Sequence, residues 1–546
     1  MTVCAFRALA GEVLGEYLEH HPETATQLGD HRFDDRLDDR SEAVLDEETR
    51  WVGRRLRDLG AVTLGDAEPA DRVDAAILTN VLELRRFELE ELTEHTWDPI
   101  VANPGTAVYT LLARKFAPLG DRLRSVASRL AGVPVALETS RRSLGTMPLV
   151  HLETAIGQFT GTRTLLATQL ERALSDEPAL RGEVEKVRDR AVEAIDDHLH
   201  WLRSLLDSAD RDPRLGPEAY SRKLALTLDT ASDADAVLAR AEADLVVIEE
   251  RIAETAARLD SGDEHGRVRR VLDRLASDGR VDNDTIVGLC EQAMAETTAF
   301  VRDRDLVTVH DDPVEIIVMP EIHRGVAVAY CDPPGPLESS SLPTYFAVSP
   351  TPEDWSAERA ASFFREYNAH MLQNLTVHEA MPGHVLQLAH NNRYSSDVAV
   401  RKALWSGPFV EGWAVYAEEL MVDEGYRAEA GFADALRMQQ LKMQLRMTIN
   451  AILDARVHAH GMTEDEAMRL MMGRGHQEDG EAAGKWRRAL LSSAQLSTYY
   501  VGYVEVRDLA ADLAAARPGD STRERHDAML AHGSPPPRHL RTLLGL

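Results

Sequence analysis

The sequence predicts a mainly α fold with one small antiparallel β-sheet, and three observations carry that reading. Apolar residues recur at helical spacing from residue 1 to about 300. Between Leu306 and Pro350 the pattern changes to short β-rich runs bounded by proline or glycine. Beyond Pro352 helical spacing returns and lasts to about Leu544.

In the first stretch, Leu78, Val81, Leu82, Leu84 and Leu92 mark one helical run, and Leu170, Leu174 and Leu180 flank another. Val246, Val247, Ile252 and Leu259 mark a third. Turn formers place breaks at Pro22, Gly60 to Pro69, Pro99 to Gly105, Pro134, Pro178, Pro213 to Pro217 and Ser261 to Gly266. The β-rich runs are Val314 to Met319, Val326 to Tyr330 and Tyr345 to Val348. Further breaks are expected near Asn391, Gly461, Gly473 to Gly480 and Gly533 to Pro537. No break is long enough to serve as a free linker, so residues 1–546 read as one large helical unit. Its parts are a helical region over 1–300, a sheet over 301–350, and helices carrying the polar motif over 351–546.

Composition narrows the function classes. Lys and Arg total 61 against 91 Asp and Glu, a net charge of −30, whose field repels nucleic acid and anionic membrane surfaces. Neither is expected as a partner. Cys4, Cys290 and Cys331 lie far apart, which fits neither a disulfide framework nor a cysteine-rich zinc module. No basic start followed by an apolar run opens the chain, and nowhere do about 18 apolar residues run uninterrupted. A soluble, cytoplasmic protein is the expectation. His20, His21, His198, His200 and the acidic string from Asp34 to Asp39 read as solvated surface.

The chemistry concentrates in His378-Glu379-Ala380-Met381-Pro382-Gly383-His384. A hydrolytic zinc site needs two neutral imidazoles, usually one carboxylate, an open position, and a nearby Glu as base. Histidines four apart on a helix share a face after a rotation of about 400°, but six residues correspond to about 600° and leave them about 120° apart. The helix must therefore break or bulge, and Pro382-Gly383 supplies the residues for it. The competing reading is that these residues end a helix and leave two unrelated histidines.

Downstream, Glu411 stands among Phe409, Val410, Trp413 and Ala414, and a carboxylate in such a setting needs a partner. Zinc would serve, as would Arg or Lys. Glu418, seven residues on, returns to nearly the same face about 10 Å away, which suits a residue that orients a ligand. Tyr499 is the first candidate for stabilising a tetrahedral oxyanion, with core packing as the alternative; Tyr500 points elsewhere on a helix. His458, four residues after Asp454, is a candidate substrate contact or a histidine set against helix-end carbonyls. The strand around Tyr345 offers an edge to which an extended peptide could add.

His-Glu-Ala-Met-Pro-Gly-His followed by Glu-Gly-Trp-Ala-Val-Tyr-Ala-Glu resembles the bacterial family known as domain of unknown function 885. Pro22 to His31, the late segment with Gln495, Tyr499 and Gly502, and His526-Asp527 with Gly533 to Pro536 extend the resemblance over nearly the whole chain. Departures are Val385, where the family often has a second His, Ser493-Ala494 in place of Pro-Gly, and Asn450 in place of Arg. The resemblance implies a large helical metallopeptidase-like fold, similar to carboxypeptidase Taq, with the sheet beside the active-site helix. Glu411-Gly412-Trp413-Ala414 also resembles the Glu-Gly-Phe-Ala segment of aminopeptidases of the thermolysin superclan, in which that Glu binds zinc, and this second resemblance supports Glu411 over Glu418 or Glu419 as ligand.

The combined expectation is a zinc-dependent hydrolase of short peptides. His378, His384 and Glu411 hold Zn2+, Glu379 activates water, and Tyr499 and His458 assist. A zinc hydrolase of a non-peptide amide or ester, and a catalytically silent helical binding protein, are the alternatives.

Overall fold

The structure is a computed structural model that describes residues 3–62, 64–65, 67–319, 328–352, 355–428 and 431–546. Contacts gather the chain into two compact units: Met1–Pro213 with Pro334–Leu342 and Ser396–Ala403, and Arg214–Pro333 with Pro343–Ser395 and Leu404–Leu546.

In chain order, α1 (Val3–His20), α2 (Pro22–Leu28), α3 (Glu42–Gly60), α4 (Pro69–Phe87), α5 (Gly105–Ala113), α6 (Leu119–Ser143), α7 (Leu149–Asp176) and α8 (Arg181–Ser204) build the first unit. The second begins with α9 (Pro217–Leu228), α10 (Ala234–Leu259), α11 (Arg267–Asp278) and α12 (Ile286–Asp303). Strands β1 (Val314–Val318), β2 (Ala329–Asp332) and β3 (Thr344–Val348) follow, then α13 (Ala357–Glu366), α14 (Ala369–Glu379) and α15 (His384–Arg393). The short α16 (Val400–Ala403) returns to the first unit, where buried Arg401 donates to Asp74 at 2.7 Å. The second unit resumes with α17 (Gly407–Asp423), α18 (Ala433–His460), α19 (Glu464–Gly473), α20 (Asp479–Leu491), α21 (Ser497–Ala516), α22 (Thr522–Leu530) and α23 (Pro537–Leu544). The fold is mainly α with one small sheet.

Three expectations change in detail. Pro134 lies inside α6 and does not break it. Val246 and Val247 are about half exposed, and the buried stripe of α10 runs through Val237, Ala241, Leu245, Ile248 and Ile252. His198 is fully buried, with Arg141 Nε donating to its Nδ1 at 3.1 Å; Asp34 is also buried, accepting from Thr26 Oγ1 at 2.7 Å.

The sheet is mixed, not antiparallel. Its order is β1-β3-β2, with β1 parallel to β3 (Val314 opposite Thr344) and β2 antiparallel to β3 (Ala329 opposite Val348). Parallel neighbours need a long connection, and here that connection contains β2 itself. The strand expected at Val326 to Tyr330 begins at Ala329; Val326 and Ala327 lie outside the described residues. β3 is central, so the expected free edge at Tyr345 does not exist, and β2 is the edge beside α14. Phe346, Ala347 and Val348 are accordingly buried.

The helices that matter for the site start on sequence-local signals. Asn368 caps α14, its side chain accepting from the backbone of His370 and Met371, and Ser406 caps α17 through the Phe409 N–H. Between them lies a core containing Leu372, Leu375, Val377, Phe409, Trp413 and Leu509.

Candidate metal centre

His378 sits in the last turn of α14, and His384 is the first residue of α15. The helix breaks completely between them, so the 120° mismatch of a continuous helix no longer applies. Gly383 makes the break possible. Its N–H donates to the Val377 carbonyl at 2.9 Å, and a Cβ there would lie 1.8 Å from the His378 carbonyl oxygen. Only glycine permits so close an approach. The Met381-Pro382 bond in this turn is cis.

Three consecutive residues of α17 serve three different ends. Glu411 presents its carboxylate to both histidines. Gly412 lets α17 approach α21, since a Cβ there would meet Gly502 backbone at 2.3 Å. Trp413, fully buried, donates its indole N–H to the Pro382 carbonyl at 2.8 Å and ties the turn to α17. The segment thus combines a candidate ligand, a helix-contact point and an anchor.

The geometry is compact. Glu411 Oε2 lies 3.4 Å from His378 Nε2 and 3.6 Å from His384 Nε2. The imidazole rings are edge to face with centroids 4.8 Å apart. One ligand atom from each of His378, His384 and Glu411 falls within 4.8 Å of the others. Ligands about 2.0–2.1 Å from a tetrahedral zinc are about 3.3–3.4 Å from one another, so the two carboxylate–imidazole spacings match the edges of such a site. Glu411 Oε2 is buried without a hydrogen-bond partner, as expected of an atom reserved for a cation.

Behind His378, its Nδ1 meets Glu418 Oε1 at 2.7 Å, and Asn374 Nδ2 donates to Glu418 Oε2 at 2.6 Å. Glu418 therefore takes the orienting position its seven-residue spacing suggests, and frees His378 Nε2 to face Glu411. Asn374 was not singled out from sequence, although its place four residues before His378 was a usable signal. Burial alone would lower the His378 pKa, but Glu411 and Glu418, one at each ring nitrogen, raise it well above the ordinary value. Burial would raise the Glu411 pKa, yet His378 and His384 hold it far below the usual carboxylate range. The donor set is one that stabilises positive charge, and it fits zinc.

Glu379 follows His378 and accepts a hydrogen bond from the Cys331 backbone N–H, on edge strand β2, at 3.1 Å. Burial raises its pKa, against the pull of His378 and His384. A carboxylate with raised affinity for a proton beside the ligands has the character of a general base.

The other two candidates are placed differently. Tyr499 is partly buried on α21, and its hydroxyl accepts from Arg488 Nη2 at 3.3 Å. Tyr500 turns away and donates to Asp244 at 2.7 Å. His458 is buried, stacked on Tyr220, with Nε2 2.9 and 3.0 Å from the Ala489 and Ser492 carbonyls at the end of α20. Asp454 does not hydrogen-bond it among the described residues, accepting instead from Ala494 N, Ser497 N and Ser497 Oγ. His458 is thus held in interhelical packing, and none of its hydrogen bonds among the described residues reaches His378, His384 or Glu411.

With this geometry in view, the chain belongs to the family described as bacterial protein of unknown function (DUF885), whose profile matches residues 22–544. A solved structure from Shewanella oneidensis, described as a "putative lipoprotein of unknown function", is 29% identical with a TM-score of 0.83, covering 99% of this chain and 100% of its own. Another, a lipoprotein so described from Colwellia psychrerythraea, shares the fold at 16% identity and a TM-score of 0.82, covering 99% of this chain and 98% of its own. Among curated proteins no match was found. The description of the Shewanella oneidensis relative as a putative lipoprotein overturns the expectation of a cytoplasmic protein, which rested on the missing signal-peptide pattern. No described helix is long and apolar enough to cross a membrane.

Proposed function

We propose that this chain is a zinc-dependent hydrolase that cleaves short peptides. The observation that carries the reading is the convergence of His378, His384 and Glu411, from the three helices α14, α15 and α17, with Glu379 beside them. The resemblance of the motif to helical metallopeptidases similar to carboxypeptidase Taq supports a peptide substrate. Bound zinc would supply Lewis acidity toward a carbonyl and make water acidic enough to deprotonate near neutral pH.

The chain's own residues do the rest. Glu418 fixes the His378 tautomer with Nδ1–H donating, so that Nε2 is the free lone pair. Glu379 takes the proton of the attacking water and delivers it to the leaving amine, a role its raised pKa suits. The Cys331 N–H holds one oxygen of Glu379 and leaves the other for that transfer.

The test is hydrolysis of a short-peptide library by the zinc-loaded protein, read by mass spectrometry, beside Glu379→Gln. Wild type cleaves, and the variant retains zinc but loses cleavage by a factor on the order of 10²–10⁴. Undiminished cleavage by the metal-loaded variant would remove the base assignment, and no cleavage of any peptide by wild type would remove the peptidase reading.

A further inference from the structure

The second unit holds a cluster of positive charge that its own carboxylates do not balance. On α18, Lys442, Arg446 and Asn450 recur every four residues and share a face. Both cations meet a carboxylate: Glu366 accepts from Lys442 Nζ at 2.8 Å, and Glu481 pairs with Arg446, which also donates to the Tyr367 hydroxyl at 3.0 Å. Two further cations stand on α20. Lys485 is 5% exposed and makes no hydrogen bond or ion pair among the described residues. Arg488, three residues on, donates to neutral oxygens, Gln495 Oε1 at 2.8 Å and the Tyr499 hydroxyl at 3.3 Å. Asn450, 4% exposed, leaves its Oδ1 without a partner.

A buried ammonium without a direct ion pair is costly, and an apolar side chain of similar length would be tolerated at least as well. Burial and the Arg446 charge push the Lys485 pKa well below the lysine range, with Arg488 adding to this and Glu481 and Glu366 opposing it. Stability therefore gives no reason for a lysine here. An incoming anion would. Ammonium and guanidinium three residues apart are neighbours on one helix face, and charge-assisted hydrogen bonds to a carboxylate are the strong kind.

We propose that Lys485 and Arg488 form a subsite for a carboxylate of the bound ligand, next to Tyr499. On the peptidase reading, on which this step rests, that group is the free C-terminal carboxylate of a short peptide. The subsite would then select substrates by their C-terminal end, and Arg488 would couple that recognition to the Tyr499 hydroxyl.

Binding without turnover tests it. Calorimetry on the full chain compares N-acetylphenylalanine, its primary amide, and the α-amide of N-acetylglutamic acid, which carries a side-chain carboxylate alone. Wild type binds the first at least tenfold more tightly than the other two. Lys485→Met abolishes that preference with melting temperature unchanged or raised, and Lys485→Arg keeps most of it. A carboxylate held by the metal centre would survive Lys485→Met, so an undiminished preference in that variant overturns the subsite, as does equal binding of acid and amide by wild type. Tighter binding of the glutamate amide overturns the C-terminal assignment. Arg488→Gln provides a second variant if Lys485→Met does not fold, with the same loss of preference expected. Because no step requires hydrolysis, failure here is separate from failure of the peptidase reading, which Glu379→Gln decides.

Discussion

Replacing Gly383 by alanine should destroy the metal centre without touching any ligand. The added Cβ would fall 1.8 Å from the His378 carbonyl oxygen and 2.4 Å from that of Val377, where real Cβ contacts do not come below 3.0 Å, so the turn must open by about 1.2 Å. Both obstacles are backbone atoms of α14, which cannot swing aside as a side chain can. His384 is the next residue and moves with the turn. Metal–ligand distances tolerate only about 0.2 Å, so the opening is several times what a zinc site accepts. Zinc affinity should fall at least as far as when an orienting partner is lost, about 100-fold or more, while overpacking costs on the order of 1–3 kcal/mol of stability. The assay is zinc affinity by competition with a chromophoric chelator, alongside circular dichroism to show that the helices persist. If folded Gly383→Ala bound zinc like wild type, the argument that this glycine brings His384 to the ion would be refuted.

Other consequences are smaller. Glu418→Gln leaves His378 without its charged partner at Nδ1, and zinc affinity should drop about 10–100-fold by the same competition assay, with the fold retained. Trp413→Phe removes the N–H that holds the Pro382 carbonyl; a cost of about 1–2 kcal/mol in urea unfolding is expected, and no change would mean the anchor contributes nothing. His526 is buried, with Nδ1 donating to the Leu306 carbonyl at 2.8 Å and Nε2 accepting from Tyr416 at 3.0 Å, and burial pushes its pKa down to about 4. Below its ordinary value near 6.5 the unfolded chain takes up a proton that the folded chain refuses. Stability is therefore full above about 6.5 and is lost as pH falls toward about 4, by about 2 kcal/mol between pH 7 and 5 from this residue. His526→Gln should lose that much less over the same interval in urea titrations, and an unchanged slope would contradict the assignment.

Sequence spacing reveals what depends on neighbours along the chain. The break after Glu379 was legible because two histidines six apart cannot share a helical face and Pro382-Gly383 lies between them. That Glu418 supports a candidate ligand instead of joining Glu411 at the site followed from the helical repeat on α17, whereas its partner, His378, was set by the packing of α14 on α17. The direction of β1 was not legible, because a short β-rich run reads the same in either direction and pairing is set by the connection. Val246 and Val247 show the same limit: apolar residues on α10 were counted, but which stripe faces the core is decided by what packs against it. His458 matched a helical pair with Asp454, yet both residues spend their hydrogen bonds on the end of α20 and the start of α21, partners more than 30 residues away. The C-terminal His526-Asp527 pair likewise pins residues 306–308, Asp527 accepting from Thr308 N and Oγ1 at 2.8 and 2.6 Å. Lys485 carried no sequence signal at all, since a lysine on a helix ordinarily faces water.

The metal content of the purified protein tests the central claim most directly. After equilibration with zinc and removal of excess, elemental analysis should find a single tightly held zinc in wild type and in Glu379→Gln, and a large loss of it in His384→Ala and Glu411→Ala. Wild type without bound zinc, or His384→Ala retaining it in full, would contradict the account.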